Sequence, residues 1–469
     1  MERREFLKQS AWMFAAAEMA GCTGLSFGTT GAPMSGFRCA PLNRIRTGVV
    51  GLGNRGGWAA ERLASVPGVD LVALCDVREE KIAEAKQRIE SVGGRVPERC
   101  YTGEEGYKAL CESDLDVVYI AVPWLLHTPV ALYALNSGRH AFIEVPAATT
   151  IDDCWNLVET AERRRLHCMM LENSGYGEDE LFFVSLVKHG LIGEVVHAEG
   201  GYMHTITHQC YPDPVTGTEH YYRNWRLEHN AAHNGDYYAT HQFQPIAWYM
   251  DINRGDRLDY MVSVESGQFT FEAYARENFP VGSPMREKRI RMGDVNVAVA
   301  RTVRNRTIII QHDVSMPHPY SRINVVSGTR GILQGYPKPA RVALYEKSGT
   351  FPHGDNDVND YADEETMKVL REKYTHPLWK QAGEVAKKVG GHGGKDFLMD
   401  LRWAYCLRNG LPLDMDVYDL ATWCSFGELS ERSVRGGSCR VDFPDFTRGA
   451  WKDRPPTGMF EFDLSRLDV

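Results

Sequence analysis

Arg46-Thr-Gly-Val-Val-Gly51-Leu-Gly53-Asn54-Arg55-Gly56 is the stretch on which the fold of this chain turns. A short β-branched run enters it, and three glycines in the spacing Gly51-x-Gly53-x-x-Gly56 leave it. The first glycine permits a tight turn, the second lets backbone approach a pyrophosphate, and the third lets the next helix pack against the strand. The helix N-terminus then offers free N–H groups and the positive end of a dipole to phosphates. Val69-Asp-Leu-Val-Ala-Leu-Cys-Asp76 reads as a second buried strand, and its closing acid lies 20 residues past Gly56. That is the place for a carboxylate that grips a ribose. A plain α/β turn followed by a surface Asp is the plainer alternative.

The totals set bounds around this unit. A chain of 469 residues has length for two cores. Its 43% apolar and 25% charged residues are those of a globular protein. A net charge of −9 argues against nucleic acid as a partner. Eleven scattered cysteines without a CxxC pair suggest neither a zinc site nor a disulfide framework. The N-terminus differs from the rest. Met1-Glu-Arg3-Arg4-Glu-Phe6-Leu-Lys8 resembles a twin-arginine export signal, followed by a short apolar segment interrupted by Glu18. Met19-Ala-Gly-Cys22 resembles a lipoprotein cleavage box, which makes Cys22 a candidate for lipidation and predicts a periplasmic or cell-surface, lipid-anchored protein. A cytosolic arm with an accidental Arg pair is the alternative.

Residues 1–44 are thus expected to be signal and tether, and 45–175 a nucleotide-binding domain. The periodicity predicts a helix from Trp58 to Ser65, a charged amphipathic helix from Glu79 to Val92, and buried strands at Asp116–Pro123, His140–Pro146 and Cys168–Asn173. In open α/β sheets the ligand crevice lies at the carboxyl ends of strands, so Asp76, Trp124, Leu125, Leu126, His127, Glu144, Val145 and Asn173 are expected on one cleft. After Gly177 the texture changes. Glu194–Met203, Asp259–Ser266, Val295–Ala300, Thr307–Val314 and Ser321–Ser327 read as strands of a mainly antiparallel sheet, giving an α+β domain over 176–440 and a tail over 441–469. Lys338 to Lys388 reads as polar and irregular, and Leu398–Asn409 and Val417–Ser433 as amphipathic helices.

Two further stretches carry chemistry. From Tyr202 to His208 and from Asn224 to His241, His, Asp, Tyr and Arg are concentrated as proton carriers, hydroxyl partners and a fixed cation. The spacing is not that of a helical zinc site, so no metal is expected. Taken singly, His204, His208, His229 and His233 are read as capping or hydrogen-bonding residues. Gly390-Gly-His392-Gly-Gly394 gives one imidazole unusual backbone freedom, as a mobile loop over a site would need. An incidental His in a linker explains it equally.

Together these motifs resemble the Gfo/Idh/MocA oxidoreductase superfamily. Gly53-Asn-Arg-Gly56, Glu144-Val-Pro146, Asn234-Gly-Asp-Tyr-Tyr-Ala-Thr-His241, Ile252-Asn-Arg-Gly-Asp256 and Gly390-Gly-His-Gly-Gly394 are similar to glycoside hydrolase family 109 in particular. The resemblance implies a resident NAD, held by Gly51, Gly53, Asn54, Arg55, Gly56, Asp76, Trp124 to His127, Glu144, Val145 and Asn173. It implies a sugar pocket lined by Tyr202, Arg226, Tyr238, His241 and Tyr320. It also implies an exo-glycosidase acting on N-acetylgalactosamine-terminated glycans. Hydride would leave C3 of the sugar, the C2 proton and the aglycone would be eliminated, water would add, and the hydride would return. Proton transfer would fall to His241 or Tyr202, and His392 would serve the leaving oxygen. Val145 stands where sugar dehydrogenases of the superfamily usually carry a proton-relaying Lys, which disfavours net dehydrogenation. A sugar dehydrogenase and a non-catalytic sugar-binding lipoprotein are the competing readings, and a homo-oligomer is left open.

Overall fold

The computed structural model describes residues 33–345, 360–457 and 459–467. The expected twin-arginine signal and Cys22 lie outside the described residues.

Six strands form the first sheet: β1 (Ile45–Val50), β2 (Val69–Asp76), β3 (Arg99–Thr102), β4 (Val117–Ile120), β5 (His140–Ile143) and β6 (Cys168–Met170). All pair in parallel in the order β3-β2-β1-β4-β5-β6. Helices covering both faces explain why β4 and β5 are buried at every residue. The order reverses between β1 and β4, and this switch point opens the crevice at the strand ends. The sheet is that of a Rossmann fold.

One boundary differs from expectation in an informative way. The first helix runs Asn54–Leu63 rather than Trp58–Ser65, with Gly53 as its N-cap. Asn54, Arg55 and Gly56 therefore form the first helical turn. Gly56 is needed there because a Cβ would stand 1.7 Å from the Gly51 carbonyl oxygen. Gly51 itself takes φ +86°, open to glycine and strained for other residues.

The second sheet holds β7 (Val195–Met203), β8 (Leu258–Glu265), β9 (Asn296–Thr302), β10 (Thr307–Asp313), β11 (Val325–Gly328), β12 (Gly331–Gln334), β13 (Arg341–Leu344) and β14 (Val441–Asp442). Its order is β13-β12-β11-β7-β10-β9-β8-β14. β7 and β10 pair in parallel and the other neighbours antiparallel. The strand expected at Ser321–Ser327 is shorter. Ile323 and Asn324 take positive φ, so Ser321 makes only an isolated bridge to Met203 before β11 begins.

Helix Thr240–Tyr249 packs on β7, and helix Val417–Arg435 packs on both β8 and helix Ile151–Arg164 of the first half. Helix Lys395–Asn409 touches β1 and the glycine-turn helix. These last two helices tie the halves together. The irregular structure expected over 338–388 is wrong in part: helices occupy Glu364–Tyr374 and Pro377–Val389. Asp363 caps the first through Thr366 N–H, and Pro377 begins the second.

Candidate active site

The two halves meet over a cleft of about 620 Å³ lined by Asn173, Tyr202, His204, His241, Tyr320, Arg322, Tyr336, His392 and Lys395. The ends of β1 and β5 connect to it through Arg55, which bonds Glu144 and the cleft-lining His392. At the end of β2, the Asp76 carboxylate accepts from Leu52 N–H at 2.6 Å and Arg78 N–H at 2.9 Å. The acid is thereby fixed to the glycine turn with acceptor capacity to spare. Nothing stands within 4 Å of where a Cβ on Gly53 would be, whereas Gly51 and Gly56 are hemmed in by backbone. The open side of the turn fits a pyrophosphate, so the residues present fit a dinucleotide. Leu125 and Leu126 are exposed beside it, Trp124 and Val145 are buried, and the His127 Nδ1 donates to the Pro146 carbonyl at 2.7 Å.

Arg55 joins the turn to the opposite half. Its Nη2 donates to Glu144 Oε1 at 2.9 Å and its Nη1 to Asp396 Oδ2 at 3.1 Å. Asp396 also accepts from the Asn173 amide and stands 2.8 Å from His392 Nδ1. Among the described residues the buried Asn173 Oδ1 has no partner, which leaves it available to a ligand. Burial alone would raise the Asp396 carboxyl, but Arg55, the His392 hydrogen bond and Arg62 hold it well below the usual range. A carboxylate with a depressed folded pKa stabilises the fold above its unfolded pKa of about 3.9 and loses that contribution as pH falls toward the folded value. Asp396→Ala is expected to destabilise by about 3 kcal/mol near neutral pH, because it breaks a buried ion-pair network and leaves Arg55 and Arg62 one carboxylate short. The difference from wild type should shrink below about pH 4 in urea titrations; a gap constant with pH would exclude the ionic origin.

The sequence reading missed Glu172, the carboxylate that pairs with His241. It is fully buried at the end of β6, and both its oxygens face His241 Nδ1, at 2.7 and 2.8 Å. Burial pushes Glu172 up, but His241, Ser174 N–H and Thr240 bring it below the ordinary carboxylate range. An ionised carboxylate only accepts, so Nδ1 carries the proton and Nε2 is left as a base. Burial holds His241 below the usual imidazole pKa despite Glu172, so the ring is neutral at pH 7. The signal was an acid beside Asn173 at a strand end; its partner 69 residues away was not legible.

The aromatic residues close around this pair. Tyr202 lies 4.7 Å from Tyr238 and 5.3 Å from His241, ring to ring. Burial raises its phenol to about 12, so it is a hydrogen-bond donor at neutral pH. Tyr238 stacks on Trp124 at 5.7 Å, and Tyr320 meets Tyr202 edge-on at 6.2 Å. Arg226 is set back from the cleft, its guanidinium 5.1 Å from the Trp124 ring and 5.0 Å from that of Tyr238. Of the histidines read as plain, His229 is buried against Trp124 and His233 pairs with Glu431, while His204 does line the cleft. His392 is 57% exposed at the cleft's edge.

A six-stranded dinucleotide-binding sheet joined to a cleft of neutral His, Tyr and buried carboxylate defines a nicotinamide-dependent enzyme with a sugar-sized site. Comparison with known proteins narrows this class. Residues 45–172 match the oxidoreductase family with an NAD-binding Rossmann fold, and residues 176–453 match the C-terminal domain of glycosyl hydrolase 109. The chain is 40% identical to glycosyl hydrolase family 109 protein 2 of Shewanella sp. (strain ANA-3), covering 98% of this chain and 99% of that protein. It is 41% identical to an alpha-N-acetylgalactosaminidase of Bacteroides fragilis, over 89% of this chain and 95% of that one. Among solved structures, levoglucosan dehydrogenase in complex with NADH shares the fold at a TM-score of 0.63 and 16% identity, covering 86% of this chain and 100% of that one. The chain belongs to glycoside hydrolase family 109. It is an NAD-dependent glycoside hydrolase on a dehydrogenase fold.

Proposed function

We propose that this chain removes terminal N-acetylgalactosamine from glycans and keeps its NAD through the cycle. The observation that carries the reading is the Glu172–His241 pair, whose imidazole lines the same cleft as His392, the residue that Arg55 of the glycine turn contacts. The name of the Bacteroides relative supports the choice of sugar. Gly51 to Gly56, Asp76, Trp124 to His127, Glu144, Val145 and Asn173 would hold the dinucleotide. When bound, NAD supplies reversible hydride acceptance at the sugar's C3. The chain's own groups do the proton work. His241 Nε2 takes a proton at C2 or from the C3 hydroxyl, with Glu172 steadying the charged ring. Tyr202 donates a hydrogen bond beside it, Tyr238 and Tyr320 flank the sugar, and Arg226 holds the Tyr238 ring in place. His392, oriented by Asp396, serves the leaving oxygen.

Val145 is packed in the core and has no proton to move. That supports a redox-neutral cycle over net dehydrogenation. An N-terminal twin-arginine signal and lipidation at Cys22 would place the enzyme at the cell surface or in the periplasm. Purified protein given α- and β-linked nitrophenyl N-acetylgalactosaminides without added NAD⁺ is expected to release nitrophenol without net NADH. NADH accumulating with turnover when external NAD⁺ is then supplied would make the protein a dehydrogenase. Sugar binding without release from either anomer would make it a binding protein.

A further inference from the structure

Lys395 opens the helix Lys395–Asn409, is nine-tenths buried, and lines the cleft together with His241, Tyr202 and Arg322. Among the described residues it makes no hydrogen bond and no ion pair. The other cations around the cleft are compensated. Arg322 lies 2.6 Å from Glu180, Lys338 pairs with Asp179, and Arg55 with Glu144 and Asp396. Arg226 has no carboxylate, but the faces of Trp124 and Tyr238 cover its guanidinium. The carboxylates nearest Lys395 are already committed: Glu172 to His241, Glu180 to Arg322, and Asp396 to Arg55 and His392.

A cation on a side chain nine-tenths buried, with no hydrogen-bond partner among the described residues, is costly, and the first turn of a helix is where a positive charge is least welcome. Glu180, Asp396 and Glu172 offset the charge in part, but among the described residues none bonds the amine. A sugar hydroxyl would satisfy a donor and leave the charge uncovered. An anionic oxygen would satisfy both, through a charge-assisted hydrogen bond. We propose that Lys395 is an acid-recognition subsite within the sugar cleft, and that the preferred substrate carries an anionic substituent, a sulfate ester or a carboxylate, at or next to its terminal sugar.

For its substrate the proposal rests on the glycosidase reading; for binding it stands alone. Burial and the neighbouring Arg322 lower the amine to about 8, against the raising influence of Glu180, Asp396 and Glu172, and with His241 also facing it. Acid binding should therefore weaken as pH rises past that value.

The test is calorimetry of the full chain with N-acetylgalactosamine, its 6-sulfate and galacturonic acid. It is paired with kcat/KM on the nitrophenyl glycoside with and without the 6-sulfate. Wild type is expected to favour at least one acidic ligand by about tenfold or more, since charge-assisted hydrogen bonds are roughly twice as strong as neutral ones. The sulfate and uronate arms show which acid. Lys395→Met should reduce that preference at least tenfold and melt no lower than wild type, while Lys395→Arg keeps most of it. Equal wild-type binding of neutral and acidic sugars overturns the proposal without needing a variant. So does an equal loss on both substrates in Lys395→Met, which would mark a proton-transfer or structural role. If neither glycoside is cleaved but acidic sugars bind more tightly, the glycosidase reading falls and the subsite stands. If both are cleaved without preference, the reverse holds.

Discussion

Glu172→Gln is expected to lower kcat by about two orders of magnitude or more, within the usual range for a positioned general base and its support. The carboxylate does two things for His241. It fixes Nδ1 as the protonated nitrogen, and it stabilises the imidazolium that forms when Nε2 takes a proton. An amide can still accept from Nδ1–H but cannot supply the charge. The pH profile makes the test specific. Glu172 raises the His241 pKa against the effect of burial. Its neutralisation should move the acid limb of kcat to lower pH while the plateau falls. A merely structural role would lower the plateau without moving the limb. His241→Asn should cost at least as much as Glu172→Gln, and the double variant little more than either, because the two act as one unit. If kcat for Glu172→Gln stays within about threefold of wild type, His241 is not the base.

The second large effect comes from the glycine turn, where two neighbouring substitutions should fail for different reasons. A Cβ on Gly56 would stand 1.7 Å from the Gly51 carbonyl oxygen and 3.2 Å from the Ala121 Cβ, with no flexible side chain to yield. Gly56→Ala is therefore expected to destabilise the Rossmann half by about 3 kcal/mol or more, the upper end of overpacking costs, and to yield little folded protein. A Cβ on Gly53 meets nothing within 4 Å, and its backbone at φ −64° suits any residue. Gly53→Ala should change stability by no more than about 0.5 kcal/mol and instead reduce the NAD that co-purifies. Thermal melts alongside cofactor content separate the two. A stable Gly56→Ala, or a Gly53→Ala that keeps its full NAD, would contradict this account of the turn.

How far the sequence reaches is clearest at these same residues. The glycine spacing, the buried strands and the acid closing β2 are local signals, read within a few dozen residues, and the doubly wound sheet follows from them. Glu172, Asp396 and Lys395 were in plain view but carried no assignment. Their meaning lies in partners 69 residues away for Glu172 and His241, and 223 for Asn173 and Asp396. Residue type at a strand end is legible; which distant side chain it faces is a tertiary fact. The two helices between 364 and 389 were lost for another reason. In the first, Glu and Lys crowd the sequence and only Leu370 and Tyr374 are buried; in the second, Leu378, Ala382 and Ala386 form a helical stripe of mostly small residues. Only packing of that face picks it out.

Arg55 belongs to the first turn of the nucleotide-binding helix, yet it also grips Asp396, which holds His392 at the edge where the aglycone would leave. One side chain thus belongs to two binding events. Linkage then requires reciprocity: by whatever factor an occupied leaving-group edge tightens the hold on the dinucleotide, a bound dinucleotide must tighten the hold on the aglycone. Where that factor exceeds one, the glycan's own bulk helps to retain the coenzyme, and an emptied turn blunts the enzyme's grip on its substrate before any bond is at stake.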